Sequence, residues 1–166
     1  MEATQDSCWV CQMADALACE ILEEMSQIQI KRCASLRGPD AVPDTVCGVV
    51  DGDYQMKLLF RAEPRLFCRL AENMIGARPE SADEVQEYAC EFFNTLCGRF
   101  ISEIYQVTHI PARFYPVYFE PAAESRDLNK DGPFSSVYFV SDQQEYAEFS
   151  WSKGPMEKLL GRSQKQ

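Results

Sequence analysis

Residues 81–105, SADEVQEYACEFFNTLCGRFISEIY, decide how the rest of this chain is read. Ser81 followed by Glu84 is the S-x-x-E pattern of a helix start, in which each side chain satisfies a backbone N–H of the first turn. Apolar residues then recur at Val85, Ala89, Phe92, Leu96, Phe100 and Ile104, the spacing of one buried helical stripe. The opposite side carries Glu87, Glu91, Asn94 and Gly98, which stack on one face at 3.6 residues per turn. A carboxylate and a carboxamide therefore stand one turn apart on the polar side. Gly98 costs the helix about 1 kcal/mol relative to alanine, which makes sense where another surface must approach the backbone.

Working outward, the remaining elements read as follows. Asp15–Met25 is an amphipathic helix, with Glu20, Glu23 and Glu24 on its acidic side. Ile28–Arg32 alternates as a strand does, and Gly38–Asp44 is a proline-bearing loop. Thr45–Val50 and Asp53–Phe60 flank Asp51-Gly52, which predicts a hairpin with a tight turn at that pair. Glu63-Pro64 opens a second helix with Leu66, Phe67, Leu70 and Met74 on its apolar side and Gly76 at its end. After the 81–105 helix, Pro111–Glu120 is a strand interrupted by Pro116. Pro121–Pro133 is a loop, and Ser136–Ser141 and Glu145–Trp151 form a last hairpin around Asp142–Gln144. Residues 152–166 are a polar, peripheral tail with a short amphipathic piece at Met156–Leu160.

The order is helix–strand–hairpin, a connecting helix, then helix–strand–hairpin. It predicts a single α+β domain over 1–166, an antiparallel sheet with helices, built as an internal α-β-β-β pseudo-repeat. In the first copy the position of Glu91-x-x-Asn94 is taken by Glu20-x-x-Glu23.

Composition narrows the functional classes. The 166 residues are 46% hydrophobic, enough for one sizeable core. A net charge of −10 disfavours nucleic acid and anionic membrane surfaces as partners. No apolar run reaches the ~20 residues of a membrane span, and MEATQDSCW has no basic region followed by an apolar stretch, so a cytoplasmic protein is expected. The cysteines, Cys8, Cys11, Cys19, Cys33, Cys47, Cys68, Cys90 and Cys97, read as reduced, mostly buried thiols. Cys8-Trp9-Val10-Cys11 is a lone C-x-x-C without the two further ligands zinc requires, so no metal site is expected. Glu72-Asn73 has the wrong spacing to mimic the Glu91/Asn94 pair. Asp127–Asp131 lacks the closing glutamate of a calcium loop. His109 is read as structural, with a Cys97–His109 nucleophilic pair as a remote alternative.

A carboxamide has no useful acid–base chemistry, but it donates and accepts hydrogen bonds and so can hold a water. That suits hydrolysis of an already activated phosphoryl group, where positioning the attacking water is most of the task. A neighbouring carboxylate can dock on a lysine that contacts the phosphate. On these residues, Glu91-Phe92-Phe93-Asn94-Thr95-Leu96-Cys97-Gly98 resembles the signature helix of the CheC/CheX/FliY family of CheY-phosphate phosphatases. The element order and the preceding Ala71–Gly76 helix end (AENMIG) extend the resemblance over most of the chain. The family pattern has Asp or Ser four residues before the glutamate, from which Glu87 departs, and a proline some way after the asparagine, which Pro116 nearly matches. CheC proteins carry two such sites and CheX one, in the second half, so the resemblance is nearest to CheX.

The resemblance implies a CheX-like antiparallel sheet flanked by long helices. It implies that Asn94 orients water at the aspartyl phosphate of a CheY-like receiver and that Glu91 docks on the receiver's lysine, with Glu87 and Gly98 at the contact. It implies no cofactor of the chain's own, with Mg2+ on the receiver, and a homodimer formed through the sheets. The competing readings are a non-catalytic receiver-binding module using the same helix face and a flagellar-switch adaptor whose sheet edge binds partners.

Overall fold

The computed structural model describes residues 8–34, 42–122 and 132–163. In chain order the elements are α1 (Trp9–Ser26), β1 (Ile30–Cys33), β2 (Asp44–Gly52), β3 (Met56–Ala62), α2 (Pro64–Ile75), α3 (Ala82–Thr108), β4 (Ala112–Phe114), β5 (Tyr118–Glu120), β6 (Phe134–Ser141), β7 (Tyr146–Ser152) and α4 (Lys153–Ser163). The Pro121–Pro133 loop and the Asp127–Asp131 stretch fall largely on 123–131, and most of the Gly38–Asp44 loop on 35–41, outside the described residues.

The strands form one antiparallel sheet in the order β1-β6-β7-β3-β2, with β4 and β5 both paired to β2. Pro116 explains why the last edge is in two pieces. It has no N–H to give the ladder, so pairing lapses between Ala112–Phe114, opposite Val50–Gly52, and Tyr118–Glu120, opposite Thr45–Cys47. The strand order reads the same from either end when the two α-β-β-β units are exchanged: third strands β3 and β7 meet at the centre, and each unit's first strand lies beside the other's second. This is the pattern a duplication would leave; the duplication itself stays a proposal.

Strand alternation sorts the sheet into two faces. Val46, Phe60, Phe149 and Val137 lie in register, and they join residues of α1, α2, α3 and α4 in a single hydrophobic core. All four helices therefore pack on that face. The buried stripe of α3 is the centre of this core. Phe92 meets Phe60 edge-on at 5.1 Å, and Phe100 meets Phe149 at 5.2 Å. Ala89, Leu96 and Ile104 are fully buried as well, and Val85 is half-buried. Burial of a Leu- or Phe-sized side chain contributes about 1.5–3 kcal/mol, so this stripe fixes the roll of α3 about its axis.

The start of α3 follows the sequence expectation with one change. Ser81 Oγ accepts the Glu84 N–H at 3.2 Å, but the Glu84 carboxylate takes the N–H of Glu80, at 2.7 Å, rather than that of Ser81. The helix runs past 105 to Thr108. There Thr108 Oγ1 donates to the Ile104 carbonyl and accepts the Ile110 N–H, and His109 closes the helix at φ 56. The α2 boundaries are as expected: Pro64 opens it and Gly76 ends it at φ 79.

Three expectations are corrected. The β2–β3 turn is not a tight turn at Asp51-Gly52: both residues belong to β2, and the strands part only after Val50 pairs with Met56. Asp51 and Gly52 pair with Arg113 and Ala112 of β4 instead, and the long-range ladder outweighs the local turn preference. Gly52, at φ 128, lies so close that a Cβ there would stand 3.3 Å from the Ala112 Cα. Residues 153–163 are not a peripheral tail but helix α4, because Met156 and Leu159 find cover in the core at 3% and 1% exposure. The first helix starts at Trp9 rather than Asp15, which places the C-x-x-C across its first turn.

Candidate functional site on helix α3

With its stripe anchored, α3 turns Glu87, Glu91 and Asn94 outward, and all three are exposed. None of the three makes a side-chain hydrogen bond or ion pair to another described residue. Thr95 Oγ1 donates to the Glu91 backbone carbonyl at 3.1 Å, a contact that leaves the Glu91 carboxylate unengaged. Two contacts set the height of this face over the sheet. β2 passes close beneath α3 at Gly48, where a Cβ would come within 3.0 Å of Cys97 Sγ. Phe93 lies against Phe149 at 6.0 Å.

Gly98 differs from its three neighbours on this face. It is half-buried, and what approaches it is the chain's own Phe114. A Cβ at 98 would lie 3.7 Å from the Phe114 ring, an ordinary contact, so the fold itself does not require glycine there. Beyond Gly98 the surface opens into a groove of 520 Å³ between α3 and β4, lined by Gly98, Ile101, Ser102, Tyr105, Pro111 and Phe114 among others. The sequence reading missed this groove. Its signal was the i, i+4 run of Asn94, Gly98 and Ser102 continuing the polar face toward Tyr105, opposite a strand with Phe114 at its end.

The other candidate features have structural partners or lie apart. Asn73 Nδ2 donates to the Ser26 carbonyl at 2.8 Å, closing the end of α1, which disposes of the Glu72-Asn73 pair as a site. Cys97 is fully buried and burial pushes its thiol well above its ordinary pKa. His109 is an exposed helix cap against Tyr105, about 18 Å further along the axis, so the two cannot form a nucleophilic pair. Burial, then the Asp15 carboxylate, raises the Cys19 thiol to about 12, and burial raises Cys47 to about 11. Cys8 and Cys68 are exposed and Cys11 buried, so the thiols are less uniformly buried than expected. Among the described residues no group of three or more His, Cys, Asp or Glu is placed to hold a metal ion, and no helix is long and apolar enough to cross a membrane.

On α1 the carboxylate that corresponds to Glu91 is engaged, together with that of Glu24. Arg99 of α3 reaches across to Glu20 Oε2 at 3.3 Å and Glu24 Oε2 at 3.6 Å. Among the described residues, the Glu91/Asn94 face thus carries an unpaired carboxylate and an unpaired carboxamide a turn apart. It is open to water, and besides the Glu87 and Glu91 carboxylates no Ser, Cys, His or Lys shares the Glu87–Glu91–Asn94–Gly98 face. None of the cavities found among the described residues is lined by Glu91 or Asn94, so the face suits contact with another molecule rather than enclosure of a small one.

Comparison with known proteins bears on that conclusion. The family model described as chemotaxis phosphatase CheX matches residues 45–117, from β2 through the whole of α3 to β4. Over that stretch, a little under half of its length, the chain is similar to the CheX family. The CheX-like fold extends beyond the matched stretch. The crystal structure of CheX from Vibrio vulnificus superposes with a TM-score of 0.72 at 14% identity, covering 87% of this chain and 99% of that one. A chain of the CheX–CheY–BeF3–Mg2+ complex from Borrelia burgdorferi superposes at 0.66 with 12% identity, over 85% of this chain and 95% of that one. FliY from Thermotoga maritima superposes at 0.62 with 13% identity, over 99% of each chain. No curated protein sequence matches the chain.

Proposed function

We propose that this CheX-like chain hydrolyses the aspartyl phosphate of a CheY-like response-regulator receiver in chemotaxis signalling. The observation that carries the reading is the joint exposure of Glu91 and Asn94, one turn apart on one helix face, with neither side chain engaged by another described residue. An aspartyl phosphate is already an activated acyl phosphate, so the remaining task is to place water in line with the phosphorus. Asn94 does this by accepting one water hydrogen bond through its carbonyl and donating through its amide. Glu91 pairs with the receiver lysine that contacts the phosphate, which fixes the distance between Asn94 and phosphorus. The charge that develops on the phosphoryl oxygens is met by that lysine and by Mg2+, both on the receiver. This chain contributes geometry rather than an acid, a base or a metal. Glu87, one turn before Glu91, adds negative charge on the side that meets the receiver lysine. The receiver would be met in the cytoplasm by a homodimer joined through the sheets, which sedimentation of the purified protein tests.

The test is to follow phosphate loss from a CheY-like receiver phosphorylated with acetyl phosphate in the presence of Mg2+. The wild-type chain is expected to accelerate the loss. Asn94→Ala should retain binding to the phosphorylated receiver but lose about 10²-fold in rate, the cost of a misplaced water. Full acceleration by Asn94→Ala would falsify the mechanism. Binding by the wild type with no acceleration would favour the non-catalytic receiver-binding module.

A further inference from the structure

The groove between α3 and β4 begins where the Glu91/Asn94 face ends. Gly98 belongs to both, Ile101 at 8% exposure is part of its floor, and Tyr105 stands 46% exposed at its far end. Along the axis, Gly98 is about 6 Å and Tyr105 about 16 Å from Asn94. A specific protein interface covers about 800 Å² per partner, a patch roughly 16 Å in radius. A receiver that seats its phosphate at Asn94 therefore extends over this groove. Interface cores pack as densely as protein interiors, and a partner that left 520 Å³ of largely apolar groove empty would lose those contacts.

Resting on the receiver reading above, we infer that the Gly98–Tyr105/Phe114 groove takes a large aliphatic or aromatic side chain from the phosphorylated receiver's surface beside its phosphorylation site, and that this contact selects the receiver. Division of labour follows. Asn94 acts on the reacting water, while Ile101, Tyr105 and Phe114 hold the receiver in register. Gly98, bearing no side chain, leaves the passage between the two open.

The measurement is the dependence of dephosphorylation rate on receiver concentration for the wild type, Ser102→Trp and Tyr105→Ala, with melting curves for each. Ser102 is exposed, so the indole fills the groove without entering the core. Both variants should raise KM by about tenfold, the cost of losing an interface anchor, while kcat falls less than about threefold. Asn94→Ala should show the opposite split. Folded groove variants with wild-type KM overturn the inference and leave the phosphatase reading standing. A wild type that binds without hydrolysing is scored by Kd in place of KM, and the same comparison decides. A wild type that neither binds nor dephosphorylates any receiver overturns both. A groove that proves to be covered by a second copy, seen as Ser102→Trp changing the sedimentation of the chain and not its KM, also overturns the inference.

Discussion

Helices α1 and α3 hold corresponding places in a strand order that reads the same from both ends, yet their polar faces have opposite fates. On α1, Glu20 and Glu24 are bridged by Arg99, which itself comes from α3. On α3, Glu91 has no such bridge to any described residue, and Asn94 stands beside it where α1 has Glu23. The buried faces are alike in kind, since both helices feed one core. The difference shows that a carboxylate on a helix becomes a candidate site only when the surrounding fold leaves it unpaired. Two acidic helix faces of similar composition divide into a structural one and a presented one because a single arginine reaches one of them.

That contrast can be broken at several points. The largest effect is expected where α3 serves the fold. Phe100→Ala removes a fully buried ring that touches Phe149 and Trp151 and should destabilise the chain by about 3–5 kcal/mol in urea unfolding. A small loss there would mean the stripe does not anchor the presented face. Next is the face itself. Asn94→Ala should leave the unfolding midpoint in place while the dephosphorylation rate drops about 10²-fold. Rebuilding the motif on α1 by Glu23→Asn should add no activity, because Glu20 stays engaged by Arg99; a gain in rate would show that α1 had lacked only the carboxamide.

Gly98→Ala sharpens the contrast further, since stability and function should move in opposite directions. The methyl meets Phe114 at an ordinary distance, so the variant should be stabilised by about 1 kcal/mol through helix propensity. If a partner approaches the backbone at this point, receiver affinity should fall in the same variant. Unchanged affinity would confine the role of Gly98 to the monomer. The smallest effect belongs to α1. Glu20→Ala with Glu24→Ala should cost less than about 1 kcal/mol, as the pairs are half exposed and screened by solvent, and should leave the rate unchanged.

Much of this was legible along the chain where the signal is local. The Ser81 cap, the Val85–Ile104 stripe, the Pro64 start and Gly76 stop of α2, and the interruption at Pro116 each depend on a few adjacent residues, and each is found. Asp51-Gly52 was misread because its pairing partner, Arg113–Ala112, lies far away in sequence. Helix α4 was underestimated because Met156 and Leu159 are buried only by what they meet after the chain has folded. The cysteines are expected only to be mostly buried as a group, since thiols carry no pattern that separates an exposed Cys68 from a buried Cys97.

The sequence by itself determined the α3 helix, its two faces and the Glu91/Asn94 pair on the outer one. Helical periodicity is a property of consecutive residues, so those faces exist before anything packs. Only the tertiary structure decided that Arg99 ties down the acidic face of α1 and that the Phe114 ring comes to lie beside Gly98. It also decided that a groove continues the site toward Tyr105. Each of these joins residues from different elements, and which side chains meet across elements is set by strand register and core packing, which no local stretch encodes.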